Sequence, residues 1–223
     1  MPTDYIAPFA LWTVVRRVYL RDGSHVVEPA WIQCGRYGGM AVFVSRLHAA
    51  IYAALRNIDC PPDAPGCVDD WQCMALQAFD LHEHILEMDG ALNCAVSFGF
   101  ACDGAGALSL SHGAPRLCFV ELPFALPGSG AEAVFNFSRG AFAAICEQWE
   151  RIGAHGYVQS LERTAALDDR AFESALGVAL EAVALTHAEP DGDYWMVYDA
   201  DSVRWIASCA PPWTSRGTLH TIH

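Results

Sequence analysis

Residues 40–58, MAVFVSRLHAAIYAALRNI, join an unbroken apolar run to a helical pattern, and the reading of that junction decides the fold. Met40 to Val44 spell a β-strand. Ser45 stands where a helix N-cap belongs, with a side-chain oxygen able to accept from a first-turn backbone N–H. Beyond it Leu47, Ala50, Ile51, Ala54, Leu55 and Ile58 recur at steps of three and four, which puts them on one helical face. The helix stops at CPPDAPG, residues 60–66, where prolines remove backbone donors and helical freedom.

Upstream, LWTVVRRVYL (11–20) and HVVEPAWIQC (25–34) are β-rich and flank RDGS, so an Asp-Gly hairpin is expected, with Pro29 favouring a sheet edge. Downstream, a second helix is expected from Asp69, with Gln72 placed for a capping box. Its apolar face would carry Trp71, Met74, Ala75, Ala78, Phe79, His82, Ile85 and Leu86. NCAVSFGFA, the turn CDGAG and ALSLS then read as another hairpin across 93–111.

The second half follows the same order. RLCFVELPF and AVFNF read as strands, and Ser138 is placed to cap a helix carrying Phe142, Ile145, Trp149 and Ile152. LDDRAF opens another helix, with Phe172, Ala175, Leu176, Ala179, Leu180 and Val183 on one side, and YWMVYDA turns at Asp201 into VRWIAS. Residues 42–58 parallel 134–152, VDDW parallels LDDR, and ACDG parallels DADS. The expectation is an α+β fold: antiparallel sheet with helices packed on one face, made by tandem duplication of a ββ-αα-ββ unit. The halves would be 1–113 and 114–223, packed as one globular unit.

The chain has 223 residues, of which 53% are apolar and 11% aromatic, enough to build a core without a metal or disulfide. Its 26 acidic residues outweigh 13 basic ones, all arginine, for a net charge of −13. That balance repels nucleic acid and anionic membrane and attracts basic partners. No run approaches the roughly 18 apolar residues of a membrane span, and the first fifteen residues lack the basic charge of a secretory signal, so a cytoplasmic protein is expected. The nine cysteines, odd in number and mostly set singly in apolar runs, read as thiols.

The densest titratable cluster is FDLHEHILEMDG, 79–90, with two histidines and four carboxylates. Residues two apart on a helix diverge by about 200°, so His82 and His84 cannot chelate one ion from the same face. His82 falls on the apolar stripe as a core histidine. His84, with Asp80 four before it and Glu87 three after, has the spacing of a divalent metal site, against which stands the simpler reading of a solvated face. The metalloprotease pattern fails because Leu86 occupies the second histidine position. Cys60, Cys67 and Cys73 are spaced too widely for the usual zinc pairs.

No nucleophile elbow, dinucleotide fingerprint or P-loop is present, and the adjacent Ser111 and His112 lack a placed acid. The expectation is therefore an acidic binding module of inhibitor or immunity type that neutralises a basic protein partner such as a toxin, without cofactor, metal or catalytic residue. Asp59, Asp63, Asp69, Asp70, Asp80, Glu83 and Glu87 are the expected contacts. The competing expectation is an enzyme or small-ligand protein with a site in the groove between the halves, using His84, Asp80 and Glu87, or His112.

Overall fold

The computed structural model describes residues 4–7, 9–34, 37–58, 69–125, 134–136, 139–188 and 194–208. The first elements are β1 (Asp4–Ile6), β2 (Trp12–Tyr19), β3 (His25–Pro29), β4 (Trp31–Cys34), β5 (Tyr37–Phe43) and α1 (Arg46–Ile58). There follow β6 (Gln72–Ala75), α2 (Leu81–Glu87), β7 (Ala91–Ala101), β8 (Leu108–Ser111), β9 (Ala114–Pro115) and β10 (Leu117–Ala125). The remainder is β11 (Val134–Asn136), α3 (Arg139–Arg151), α4 (Tyr157–Ala165), α5 (Asp169–Glu181), β12 (Leu185–Thr186), β13 (Trp195–Asp199) and β14 (Arg204–Ser208). The fold is mixed α+β. No helix among the described residues is long and apolar enough to cross a membrane.

A nine-stranded sheet organises the molecule, with β5 and β7 at its centre and strands drawn from both sides of residue 113. It is mixed and not wholly antiparallel: β5 and β7 run parallel, Met40 to Phe43 opposite Cys94 to Ser97, whereas β10 and β13 run antiparallel to β7. The connection from β5 to β7 carries α1, β6 and α2, long enough for a parallel crossover.

Helices stand on both faces of this sheet, correcting the expectation of one. Met40, Val42 and Val44 enter a core with Cys94, Val96, Phe98 and the helix residues Ile85, Ile145 and Trp149. Ala41 and Phe43 enter the opposite core with Ala95, Phe100 and residues of α1 and α5, among them Leu47, Ile51, Phe172 and Ala179. The physical reason lies in the strands: MAVFV and CAVSFGF do not alternate apolar with polar, so each face needs cover.

The opening junction forms as its residues dictate. Ser45 Oγ accepts from His48 N–H at 3.1 Å, and Leu47, Ala50, Ile51 and Leu55 are buried. Ile58, by contrast, is 70% exposed at the last turn. Where β5 leaves the sheet for α1, β13 takes its place along β7, with Trp195 opposite Ala101 and Met196 opposite Phe100. Pro29 marks a partner change: β3 pairs with β2, then Ala30 donates to Val14 O and accepts from Ala41 N, and β4 pairs with β5.

The helix expected from Asp69 is broken. Gln72–Ala75 instead pairs with β2, Trp12 opposite Ala75 through Val15 opposite Gln72, and α2 begins only at Leu81. A four-residue apolar stretch carries too little periodicity to choose helix over strand, and the open edge of β2 decides it. At CDGAG, Asp103 Oδ1 accepts from Ala105 N and Ala107 N, both at 2.9 Å. One bridge, Cys102 to Leu108, follows before β8 departs to pair with β9 and β12. Ser138 lies outside the described residues.

Candidate functional site

The β2–β3 hairpin extends past the core because its tip closes locally. Leu20 N donates to Ser24 O, and Asp22 Oδ1 accepts from both the backbone N and the hydroxyl of Ser24, at 2.9 and 2.6 Å. These hydrogen bonds hold the Asp22 carboxyl below its usual range. Gly23 supplies the left-handed φ of +84° that the turn needs. Opposite the hairpin stands α2, whose Leu81 and Ile85 are buried four residues apart and fix which face turns outward. Asp80 caps it, Oδ1 accepting from Glu83 N–H at 3.0 Å.

Between hairpin and helix lies a cleft of about 410 Å³. Val26, Val27, Met74, Ala78 and Phe79 give it apolar surface; Asp80, Glu83 and Glu87 form an acidic wall, and His25 and His84 complete it. Among the described residues no arginine lines it. The His84 ring lies 5.9 Å from that of Trp31 and edge-on to Phe79 at 5.5 Å. Its Nδ1 sits 3.3 Å from Glu87 Oε2, while its buried Nε2 has no hydrogen-bond partner. An apolar floor beside two exposed carboxylates suits an amphipathic cationic side chain, stem on the floor and charge at the wall.

Three of the seven expected contacts, Asp80, Glu83 and Glu87, therefore meet in one place. Asp69 is elsewhere, engaged with Arg17 at 3.8 Å and the Tyr19 hydroxyl at 3.2 Å, and Asp70 is exposed. Asp59, Asp63, Cys60 and Cys67 lie outside the described residues. Asp80, His84 and Glu87 do not assemble as a chelating trio: among the described residues no group of three or more His, Cys, Asp or Glu could hold a metal ion. Asp80's carboxylate is spent on its helix terminus. His82 is half-buried and not a core residue, and Leu86 is 54% exposed, because a helix starting at Leu81 buries positions 81 and 85. The hairpin wall, His25 to Val27, was invisible to sequence reasoning, since nothing local ties residue 25 to residue 84.

A second groove, about 380 Å³, is walled by Trp12, Arg46, Trp71 and Cys73 on one side and by Asp169 and Phe172 on the other. Arg46 stacks 3.9 Å over the Phe172 ring, donates to Leu167 O at 2.9 Å and lies 3.5 Å from Asp169. Trp71 is held between Arg56 at 3.8 Å and Arg16 at 4.5 Å. Burial pushes the Cys73 thiol up to about 12, away from its thiolate form. None of His84, Asp80, Glu87 or His112 reaches this groove. His112 is exposed in the tight β8–β9 turn at φ +49°.

Compared with protein-family models, with curated proteins and with solved structures, the chain matches none.

The cap makes a local prediction. Asp80→Ala is expected to destabilise the protein by about 1 kcal/mol, through loss of the oxygen that serves Glu83 N–H, and Asp80→Asn by less. Thermal unfolding of the two variants checks it; equal midpoints would mean that the side chain does not cap α2.

Proposed function

We propose that this protein is an acidic binding module, of inhibitor or immunity type, that neutralises a basic protein partner such as a toxin in the cytoplasm. The α2 cleft is the point where the partner's cationic side chains enter. The observation that carries the reading is the meeting of Asp80, Glu83 and Glu87 over apolar surface with no arginine among the described lining residues. A surface charge of this sign steers a cationic protein into encounter, and the cleft gives it a place to dock. The tandem duplication of a ββ-αα-ββ unit into halves 1–113 and 114–223 belongs to the same proposal and rests on the parallels between 42–58 and 134–152.

The test mixes the protein with basic toxins encoded nearby and titrates binding at low and high salt. Binding that weakens as salt rises, and that falls about tenfold in the Glu83→Gln/Glu87→Gln variant, supports the reading. Absent binding, or affinity indifferent to salt and to both glutamates, overturns it.

A small-ligand or enzymatic role for the groove between the halves is the second reading, favoured by the Arg46 guanidinium laid over Phe172 beside two tryptophans. An anionic aromatic ligand fits that chemistry. Arg46→Met would abolish its binding and leave the toxin titration unchanged.

A further inference from the structure

The β13–β14 hairpin is joined to the rest of the fold by a sheet seam, by Ser160 to Asp199 and Arg163 to Asp201 from α4, by the Trp205 indole to Ala179 O on α5, and by a buried polar knot. Its sheet seam is short, two residues of β13 against β7, where β10 pairs with β7 along its whole length. The polar knot centres on His48, on the first turn of α1. His48 is 1% exposed. Its Nε2 accepts from Tyr198 N–H at 3.1 Å and lies 3.0 Å from the Tyr157 hydroxyl, which itself donates to Tyr198 O at 3.0 Å. Trp205 of β14 stacks on the imidazole, planes 4° apart, and Phe100 of β7 meets it edge-on. One ring thus touches α4, β7 and both strands of the hairpin.

We propose that His48 is an acid-sensitive latch: neutral, it holds the β13–β14 hairpin against α1 and α4, and its protonation releases that hairpin while the central sheet stays closed. The geometry favours the neutral ring. A proton on Nε2 would set one N–H against the Tyr198 N–H, leaving that buried amide without an acceptor. The other nitrogen, Nδ1, is buried without a hydrogen-bond partner, so nothing there welcomes a charge.

The surrounding titratable groups do not rescue the cation. On α4 and β13 the neighbours are Tyr157 and Tyr198, which burial keeps protonated. Asp199, next along β13, has its carboxylate taken by the hydroxyls of Ser160 and Ser202 at 2.8 and 2.6 Å and by Asp201 N. On α1, Arg46 reaches away to Leu167 O and Phe172, and the Tyr52 hydroxyl is used by Arg56. From β7 and β14 come only the Phe100 and Trp205 rings.

Burial holds the folded imidazole at about 3, against 6.5 when it is free in water. The released state therefore binds more protons than the closed one between those values. The latch is fully closed above pH 6.5 and loses up to about tenfold in its closed-to-open ratio for each unit below it.

Hydrogen exchange and histidine resonances between pH 7.5 and 4.5 test this. The Tyr198 amide and its hairpin neighbours are expected to lose protection about tenfold per unit below pH 6.5, after correction for intrinsic exchange. Amides of Val96 and Val120, which exchange only through global unfolding, would remain better protected than the hairpin at every pH. In His48→Gln, whose amide oxygen can still accept from Tyr198 N–H without titrating, the dependence flattens. Should that variant fail to fold, the wild-type protein still decides. A His48 resonance that titrates near 6.5 while the hairpin stays protected, or hairpin opening indifferent to pH, overturns the proposal.

Discussion

Gly39→Ala is expected to destabilise the protein by about 3 kcal/mol, a large fraction of the stability of a domain this size. Gly39 lies in β5 where that strand meets β7, and a Cβ there would land on the carbonyl oxygen of Asn93 and come within 3.1 Å of Cys94 N. Both atoms are backbone of the central strand, so no side chain can swing aside, and the two inner strands must part to admit the methyl group. The contrast is Gly177, mid-helix in α5, where a Cβ would meet nothing within 4 Å. Gly177→Ala gains helix propensity and should raise stability by about 0.5–1 kcal/mol. Denaturant midpoints of the two variants against the parent check both. A neutral Gly39→Ala would mean that β5 and β7 are not packed this closely.

The helix start at LDDRAF, between α4 and α5, was as legible as the one after Ser45. Phe172 is buried, as the stripe predicts, and Asp168 caps the helix by accepting from Ala171 N–H at 2.8 Å. Two hairpins were legible too, through Asp22-Gly23 and through the turn after Asp199, whereas the one expected across 93–111 gives a single bridge because β10 takes the place beside β7. What failed has specific causes. Gln72–Ala75 fits both a helical and an extended pattern, and only the unpaired edge of β2, sixty residues earlier, selects the strand. Sidedness is written in MAVFV and CAVSFGF, where apolar residues run on without alternation, while the antiparallel hairpins on either side carry the pattern of a sheet covered on one face. Helix α4 was missed although Gly153 and Gly156, at φ +84° and +71°, punctuate its approach. The acidic wall could be read from FDLHEHILEMDG; the wall facing it could not, because packing, not sequence proximity, supplies it.

Trp149→Ala is expected to cost about 4 kcal/mol, and the reason combines volume with a strand irregularity. Strand β7 carries an extra residue against β10: Gly99 pairs with Cys118 and Ser97 with Phe119, so Phe98 has no opposite number. Its carbonyl, buried in the core, would be left without a ladder partner. The Trp149 indole supplies one, Nε1 donating to Phe98 O at 3.1 Å from a side chain that is 1% exposed. The same indole packs edge-on to Tyr157 at 4.8 Å, the residue that touches His48 and Tyr198. Truncation to alanine thus opens a cavity, orphans a buried carbonyl and loosens the Tyr157 ring together. Trp149→Phe keeps most of the packing and loses the donor, so about 1–2 kcal/mol is expected for it alone. If the phenylalanine variant proves as damaging as the alanine one, the hydrogen bond outweighs the volume; if it is neutral, the Phe98 carbonyl finds another donor. Because Tyr157 is shared, Trp149→Phe and His48→Gln should not add: their combined effect is expected to differ from the sum by about 0.5 kcal/mol or more. Strict additivity in that cycle would show that the bulge and the buried imidazole are independent, and that α4 does not transmit strain between them.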